Sequence, residues 1–145
     1  MTPFNLEKTA YEYLQHGNVT KYIPYVYGYG FRTRSAWGLP GFDDDDDIYY
    51  AIVMDWLEGA EQLSVENITH EYACELLEGL SVIHGAGVLH ADLFRRNMMI
   101  FPNTNDVAWI DFSCSHVKDY SVLPQEMGFA TGIILELVFP TLELL

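Results

Sequence analysis

Basic residues are scarce in this sequence. It has seven lysines and arginines but 21 aspartates and glutamates, so its formal net charge is −14 at pH 7. A surface with that excess of negative charge repels polyanions, and we expect neither nucleic-acid binding nor attachment to an anionic membrane through bulk electrostatics. An anionic ligand would therefore need positive charge at its binding site, supplied by a metal ion or a small arginine cluster. The most acidic segment, Asp43 to Asp47, is typical of a solvated loop, and the alternative is that it binds a basic protein partner or a divalent ion.

Cysteine pairs, secretory signals and long apolar runs are also lacking. The two cysteines, Cys74 and Cys114, form no CxxC motif, which excludes a disulfide framework and a zinc site and suits a reducing compartment. The N-terminus has no basic stretch followed by an apolar one, as a signal peptide would have. The longest apolar run, Met127 to Phe139, is interrupted by Glu136 and is shorter than the ~20 residues that cross a bilayer. We expect a soluble cytoplasmic protein.

Half of the residues are hydrophobic, and their spacing indicates one globular domain with an α+β fold. Apolar residues recur at helical spacing in three segments, and four shorter segments are β-prone. The last two of these flank a Pro-Asn-Thr-Asn turn, which predicts a hairpin. The predicted helices cover Phe4 to Gln15, Thr69 to His84 and Gln125 to Val138, and the predicted strands cover Val26 to Phe31, Ile48 to Trp56, Met98 to Phe101 and Val107 to Ile110.

Three polar residues lie where packing does not explain them. Asp92 is in the loop after the second helix, Asn97 precedes the first hairpin strand and Asp111 follows the second. Because a hairpin brings its ends together, we expect Asn97 and Asp111 to lie within a few ångströms of each other. Their oxygens suit Mg²⁺ bound to phosphates, and Asp92 is placed to accept a proton from an attacking hydroxyl. The alternative is that all three are ordinary turn-forming and capping residues.

Two motifs around these residues resemble those of protein kinases. Residues 90–97, HADLFRRN, resemble the catalytic loop HRDLxxxN. Asp111-Phe112-Ser113 resembles the D-F-G metal motif, with serine in place of glycine. Serine lacks the freedom of glycine at positive φ, so we do not expect the switch motion associated with D-F-G. The sequence also resembles the small, divergent kinase-like proteins of fungi and the aminoglycoside phosphotransferases.

The resemblance implies a partial protein-kinase-like fold. Residues 1–59 then form a partial N-lobe and hinge, with a glutamate-bearing helix and two strands. Residues 60–145 form a reduced, mainly helical C-lobe that contains the catalytic-loop hairpin. The resemblance also implies that Asp92 is the catalytic base, and that Asn97 and Asp111 take part in catalysis by binding the Mg²⁺ of ATP.

The same resemblance implies further nucleotide-binding residues. Glu7 corresponds to the helix glutamate that pairs with the ATP-binding lysine of kinases, and Arg95 is available to supply charge on the phosphate side. Glu126 corresponds to the acid of a buried helix that braces the catalytic loop, where aspartate is usual. The residues that correspond to the adenine-binding hinge are Met54, Asp55, Trp56 and Leu57.

Two parts of a kinase ATP site are missing from the sequence. No glycine-rich loop or lysine-bearing strand precedes Glu7, and the three lysines are Lys8, Lys21 and Lys118. Each missing contact is worth about 2–4 kcal/mol in the transition state, so we expect weak or undetectable transfer. Three interpretations stay open: an ATP-dependent phosphotransferase with an unknown hydroxyl acceptor, a pseudokinase that binds without turnover, and a truncated gene product.

Overall fold

A computed structural model describes residues 2–33, 36, 38, 48–117 and 123–142. The acidic run Asp43 to Asp47 lies outside the described residues, so both interpretations of it stay predictions. In the described part of the chain, three α-helices and seven short β-strands confirm the α+β class. The helices are α1 (Pro3–His16), α2 (His70–Gly85) and α3 (Leu123–Leu142), and the strands are β1 (Val26–Thr33), β2 (Ile48–Met54), β3 (Glu61–Gln62), β4 (Val88–Leu89), β5 (Met98–Phe101), β6 (Asp106–Trp109) and β7 (His116–Val117).

Helix α1 begins at Pro3 because Thr2 caps it. The Thr2 hydroxyl accepts a hydrogen bond from a first-turn backbone N–H at 3.2 Å. Proline is favourable at the first position of a helix because it has no N–H that would need a partner there. Tyr11 and Leu14, three residues apart, are fully buried and fix the face that turns inward. The helix predicted from Phe4 onward is confirmed.

Strands β1 and β2 form a two-stranded antiparallel sheet whose open end is fixed by Asp55. The Asp55 carboxylate accepts hydrogen bonds from the Tyr27 hydroxyl at 2.6 Å and from the Tyr25 N–H at 3.1 Å. The Asp55 N–H donates to the Tyr25 carbonyl at 2.9 Å. Because the Tyr25 N–H bonds to the Asp55 carboxylate instead of a backbone carbonyl of β2, the ladder stops here and β2 ends at Met54. The prediction that this strand extends to Trp56 is therefore wrong.

Helix α2 and the β5–β6 hairpin form the centre of the core. Thr69 caps the helix, and Leu76, Leu80 and Ile83 are fully buried along one face. The Trp109 indole of β6 is fully buried and donates a hydrogen bond to the Leu76 carbonyl at 2.9 Å. The predicted helix and the predicted hairpin are both confirmed. The sequence did not predict β3, β4 and β7, which have two residues each and show no periodic pattern.

Helix α3 packs against α2 and completes the core. Ala130, Ile134 and Leu137 are buried on its inner face. The helix extends beyond the predicted bounds at both ends. In the described ranges, no helix is both long enough and apolar enough to cross a membrane. The division into a partial N-lobe and a reduced C-lobe at residue 59 stays a prediction.

Candidate functional site

The site loop, residues 90–97, is anchored by the buried ring of His90. This ring is 0% exposed and lies 4.7 Å from the Phe112 ring between centroids. Its Nε2 is 2.9 Å from the Ile110 carbonyl oxygen, and its Nδ1 is 3.3 Å from the Asp92 backbone nitrogen. Because a carbonyl only accepts and a backbone N–H only donates, His90 carries its proton on Nε2 and is neutral. Burial lowers the pKa of His90, in agreement with a neutral ring.

Glu126, in the first turn of α3, fixes the start of the site loop. Its Oε1 accepts a hydrogen bond from the His90 N–H at 2.8 Å and lies 2.8 Å from Nε2 of His84. Its Oε2 accepts one from the Ala91 N–H at 2.7 Å. Burial on its own would raise the pKa of Glu126, but these hydrogen bonds outweigh burial and hold the pKa below its ordinary value. The expectation that Glu126 braces the loop is confirmed.

Two non-glycine residues of the site have a left-handed backbone. Ala91 has φ 64° and Asp111 has φ 62°, a region that costs an L-residue about 1 kcal/mol or more. The Asp111 carboxylate stabilises its own turn, because its Oδ1 accepts hydrogen bonds from the N–H and the hydroxyl of Ser113. Ser113 is not among the described residues with positive φ. The serine of the Asp-Phe-Ser motif therefore does not need the freedom of a glycine in this conformation.

Asp92 is held by two side chains from the end of the site loop. Arg96 Nη2 lies 3.0 Å from each of the Asp92 carboxylate oxygens. Asn97 Nδ2 donates to Asp92 Oδ2 and to the Asp92 carbonyl, each at 2.9 Å. The Arg96 guanidinium also stacks over the Phe94 ring, with Cζ 4.4 Å from the centroid. The Asp92 side chain is 12% exposed and that of Arg96 57%, so the arginine shields the carboxylate and is itself open to solvent.

The backbone of the hairpin links Asn97 to the residue before Asp111, and the expected closeness of the Asn97 and Asp111 side chains stays a prediction. The Ile110 N–H, one residue before Asp111, donates to the Asn97 carbonyl at 3.0 Å. The Asn97 amide nitrogen is bonded to Asp92 and leaves Oδ1 for a metal, while Asp111 has Oδ2 left beside its bonds to Ser113. Within the described ranges, no group of three or more His, Cys, Asp and Glu side chains is arranged to hold a metal ion. A Mg²⁺ ion here would need phosphate and water oxygens to complete its shell.

Glu7 lies beside Asp111 and Phe112. Burial raises the pKa of Glu7, and the negative charge of Asp111 raises it further, while a backbone hydrogen bond from Phe112 acts in the opposite direction. The neighbouring Lys8 is instead 3.8 Å from Glu12. Among the residues that the structure describes, no lysine or arginine pairs with Glu7. The negative charge of Asp111 therefore acts on Glu7, and no salt bridge within the described residues offsets it.

The predicted hinge follows β2 directly. Met54 is the last residue of the strand, and the Asp55 carboxylate is bound to β1. Trp56 is 88% exposed, and the Leu57 carbonyl accepts a hydrogen bond in a turn. Arg95 is exposed in the short turn before Asn97. In the described part of the chain, no side-chain hydrogen bond or ion pair joins these residues to Asp92, Asn97 or Asp111, and their role in nucleotide binding stays a prediction.

Two partners in the site were not identified from the sequence. Arg96 pairs with Asp92, and the spacing of four residues was a usable signal, because side chains that far apart meet in helical and turn-like backbone. His84 pairs with Glu126, and here the sequence separation of 42 residues left no local signal.

Comparison with known proteins gives partial matches to protein kinases, whereas no family model matches the chain. The chain is 32% identical over 82 residues to a probable serine/threonine-protein kinase of Dictyostelium discoideum and 36% over 59 residues to an eIF-2-alpha kinase of Arabidopsis thaliana. It is 28% identical over 114 residues to a serine/threonine-protein kinase of Saccharomyces cerevisiae. The matched stretches are 53%, 41% and 73% of this chain but 12%, 5% and 7% of the three relatives. These matches support a protein-kinase-like relationship.

Proposed function

We propose that this chain is a protein-kinase-like module that binds ATP with Mg²⁺ and transfers phosphate weakly to a hydroxyl acceptor. The observation that carries this proposal is the hydrogen-bonded set of Asp92, Arg96 and Asn97, which lies at one end of the hairpin whose other end leads to Asp111. The partial matches to protein kinases support the same lineage. The more specific likeness to fungal-type kinase-like proteins or aminoglycoside phosphotransferases is part of the proposal.

Each of these side chains has a role in the proposed reaction. Asp92 orients the attacking hydroxyl and accepts its proton. Asn97 fixes the Asp92 carboxylate through its amide nitrogen, so that the hydroxyl meets the carboxylate in one orientation. Asn97 and Asp111 would hold Mg²⁺, which would supply positive charge to neutralise the phosphates. In the proposal, Met54 to Leu57 contact the adenine and Arg95 lies towards the phosphates.

Two features of the site favour weak activity. The two hydrogen bonds from Arg96 occupy both oxygens of Asp92, so an incoming hydroxyl must share or displace them. Among the described residues, no lysine or arginine pairs with Glu7, so no described cation is available beside it for the ATP phosphates. The second feature supports an alternative function. In this alternative, the chain is a pseudokinase that binds a nucleotide or a protein without turnover.

The test is phosphoryl transfer from labelled ATP in the presence of Mg²⁺ to a peptide mixture that contains serine, threonine and tyrosine. An Asp92→Asn variant should lower the rate about 100-fold or more, since a positioned base contributes about 10²–10⁴-fold. ATP affinity should stay unchanged, because Asp92 contacts the acceptor in this scheme. Asp106→Asn is the matched control, since Asp106 is exposed on β6 of the same hairpin.

The possible results separate the candidate functions. A wild-type rate that Asp92→Asn leaves intact would contradict the role of Asp92. Binding of Mg-ATP without measurable transfer would favour the pseudokinase. Absence of both binding and transfer would overturn the proposal as a whole.

A further inference from the structure

His70 and Cys74 form a pair of metal-ligating side chains on the outer face of α2. They are four residues apart, so they lie one above the other on the same side of the helix. The Cys74 sulfur lies 3.9 Å from Nδ1 and 4.0 Å from Nε2 of His70. Both residues are exposed, and the Cys74 thiol is free. One edge of the imidazole ring therefore faces the sulfur, and both groups are open to solvent.

The separation of the sulfur and the ring nitrogens is close to the one that a zinc ion requires. Zinc in structural sites is tetrahedral, with Zn–S bonds of about 2.3 Å and Zn–N bonds of about 2.0–2.1 Å. From these bond lengths and the tetrahedral angle, a sulfur and a nitrogen on one ion are about 3.6 Å apart. The observed 3.9 Å is reached from that value by a small side-chain rotation. Thiolate and imidazole are also ligand types that suit zinc.

One chain supplies only half of the ligands of such a site. Among the residues that the structure describes, no third histidine, cysteine, aspartate or glutamate joins the pair in an arrangement that could hold a metal ion. A closed structural zinc site has four protein ligands. The same pair from a second copy of the chain supplies the missing ones, because a two-fold axis presents one surface twice. The site is therefore incomplete in one chain and complete in two.

The charge of the chain favours a metal ion at this contact. Each copy has a formal net charge of −14, so two copies repel each other. Glu71 and Glu78 are exposed on α2 within four residues of Cys74, and their negative charge attracts a divalent cation. Because the pair lies in the first five residues of α2, the two copies need to meet only where these helices begin. We therefore expect this contact to form with the metal and not without it.

We propose that His70 and Cys74 of two copies bind one Zn²⁺ ion between them and so join the copies into a metal-dependent dimer. Each Cys74 thiol releases its proton to the solvent when it binds, and each His70 binds as a neutral imidazole. The two thiolates then balance the charge of the ion. The lack of a CxxC motif excludes a site built from the cysteines of one chain, but it does not apply to a mixed pair that two chains share.

The zinc site is separate from the proposed nucleotide site. His70 is the first residue of α2, and His84, near the other end of the helix, contacts Glu126 beside the site loop. The helix rises about 21 Å between these two histidines. The zinc site therefore does not depend on the proposed function, and each can be tested without the other.

Zinc titration of the fully reduced chain, followed by sedimentation velocity, tests the proposal. Zn²⁺ should double the molar mass of the metal-free chain, with one ion bound per two chains, and EDTA should reverse the change. Acid should weaken the dimer, because protons compete with the ion for the thiolates. Co²⁺ in place of Zn²⁺ should give the intense visible absorption of a tetrahedral site together with a thiolate charge-transfer band.

Variants of the chain locate the zinc site. Cys74→Ser and His70→Gln should each remove the dimer and lower the zinc affinity by at least about 100-fold, since even the loss of a group outside the ligand shell costs about 10–100-fold. Both positions are exposed, so the variants should keep the far-ultraviolet circular dichroism of the wild type. Cys114→Ser is the matched control, since Cys114 is the other exposed cysteine, and it should keep the dimer. Asp111→Asn should keep it too, because that candidate Mg²⁺ ligand lies elsewhere.

Three results would overturn the proposal. They are a chain that stays monomeric with zinc, a zinc dimer that persists in Cys74→Ser, and a dimer that a reductant dissociates but EDTA does not, which would be a disulfide. Failure of the zinc site also differs from failure of the proposed function. Binding of Mg-ATP without a zinc dimer would remove the zinc site and leave the function standing, and a zinc dimer without nucleotide binding would do the reverse.

Discussion

Ala91 shows how a single residue of the site loop is kept in a conformation that its side chain disfavours. Its φ is 64°, and its N–H donates to the Glu126 carboxylate at 2.7 Å. The left-handed region costs an alanine about 1–2 kcal/mol, so the hydrogen bond and the packing of the loop must outweigh that cost. Such strain next to a proposed catalytic residue agrees with the general tendency of functional loops to keep unfavourable backbone.

An Ala91→Gly substitution should therefore be tolerated better than glycine substitutions elsewhere. Glycine relieves the left-handed strain but adds about 0.4–1 kcal/mol of conformational freedom to the unfolded chain, so the free energy of unfolding should stay unchanged or rise by about 0.5 kcal/mol. Ala86→Gly is the matched control, since Ala86 follows α2 at φ −85° and should lose about 1 kcal/mol. Urea unfolding measures both. Equal losses in the two variants would show that Ala91 is not strained.

At the residue scale, the sequence singled out Asp92 and Asn97 by their spacing, but it did not predict the bond between them, and their catalytic roles stay predictions. Asp92 and Asn97 are five positions apart, and in the structure the Asn97 amide bonds directly to Asp92. The role of Ser113 was harder to predict, because the left-handed turn lies at Asp111 rather than at the position where kinases have glycine. The local sequence does not show whether Asp111 or Ser113 has the positive φ.

Helix α3 contributes to the site through one side chain rather than through a surface. Glu126 accepts the first two N–H groups of the site loop and contacts His84 of α2, so it links two helices and the loop. His84 is 9% exposed and His90 is 0% exposed, and both would lose a partner if the carboxylate were removed. The position of the site loop therefore depends on where α3 begins.

Glu126→Gln should lower the free energy of unfolding by about 2–4 kcal/mol at neutral pH, because one amide hydrogen bond donor must then point at another donor. The pKa of Glu126 is below its ordinary value of 4.5 in the folded chain, so its contribution is present above that pH and is lost as the pH falls through the folded pKa. The difference between wild type and variant should shrink in acid. Glu78→Gln, at an exposed position on α2, is the control and should change stability by less than about 0.5 kcal/mol. A pH-independent difference would contradict an ionised Glu126.

The elements themselves were largely predictable, and the exceptions have a physical reason. Helices α1 and α2 and the β5–β6 hairpin have periodic apolar residues and clear capping or turn residues. Strand β2 ends early because Asp55 bonds to β1, a contact over 28 residues that no local pattern reveals. The two-residue strands exist only because tertiary packing brings their segments together.

At the scale of the whole molecule, negative charge accumulates where a nucleotide would bring more. The net charge is −14, and the negative charge of Asp111 acts on Glu7, which has no described lysine or arginine as a salt-bridge partner. Phosphates would be repelled there unless Mg²⁺ accompanies them. The chain spans about an eighth or less of the kinases that it matches. We therefore propose that this module binds ATP only together with the metal.

Thermal unfolding with ATP and Mg²⁺, added separately and together, tests this claim most directly. ATP with Mg²⁺ at about 100 times the dissociation constant should stabilise the fold by about 2.7 kcal/mol, which raises the midpoint by roughly 5–10 °C for a chain of this size. ATP alone should give little or no rise, Asp111→Asn should remove the effect, and the exposed Asp106→Asn control should keep it. No rise with ATP and Mg²⁺ together, or an equal rise in Asp111→Asn, would contradict the account.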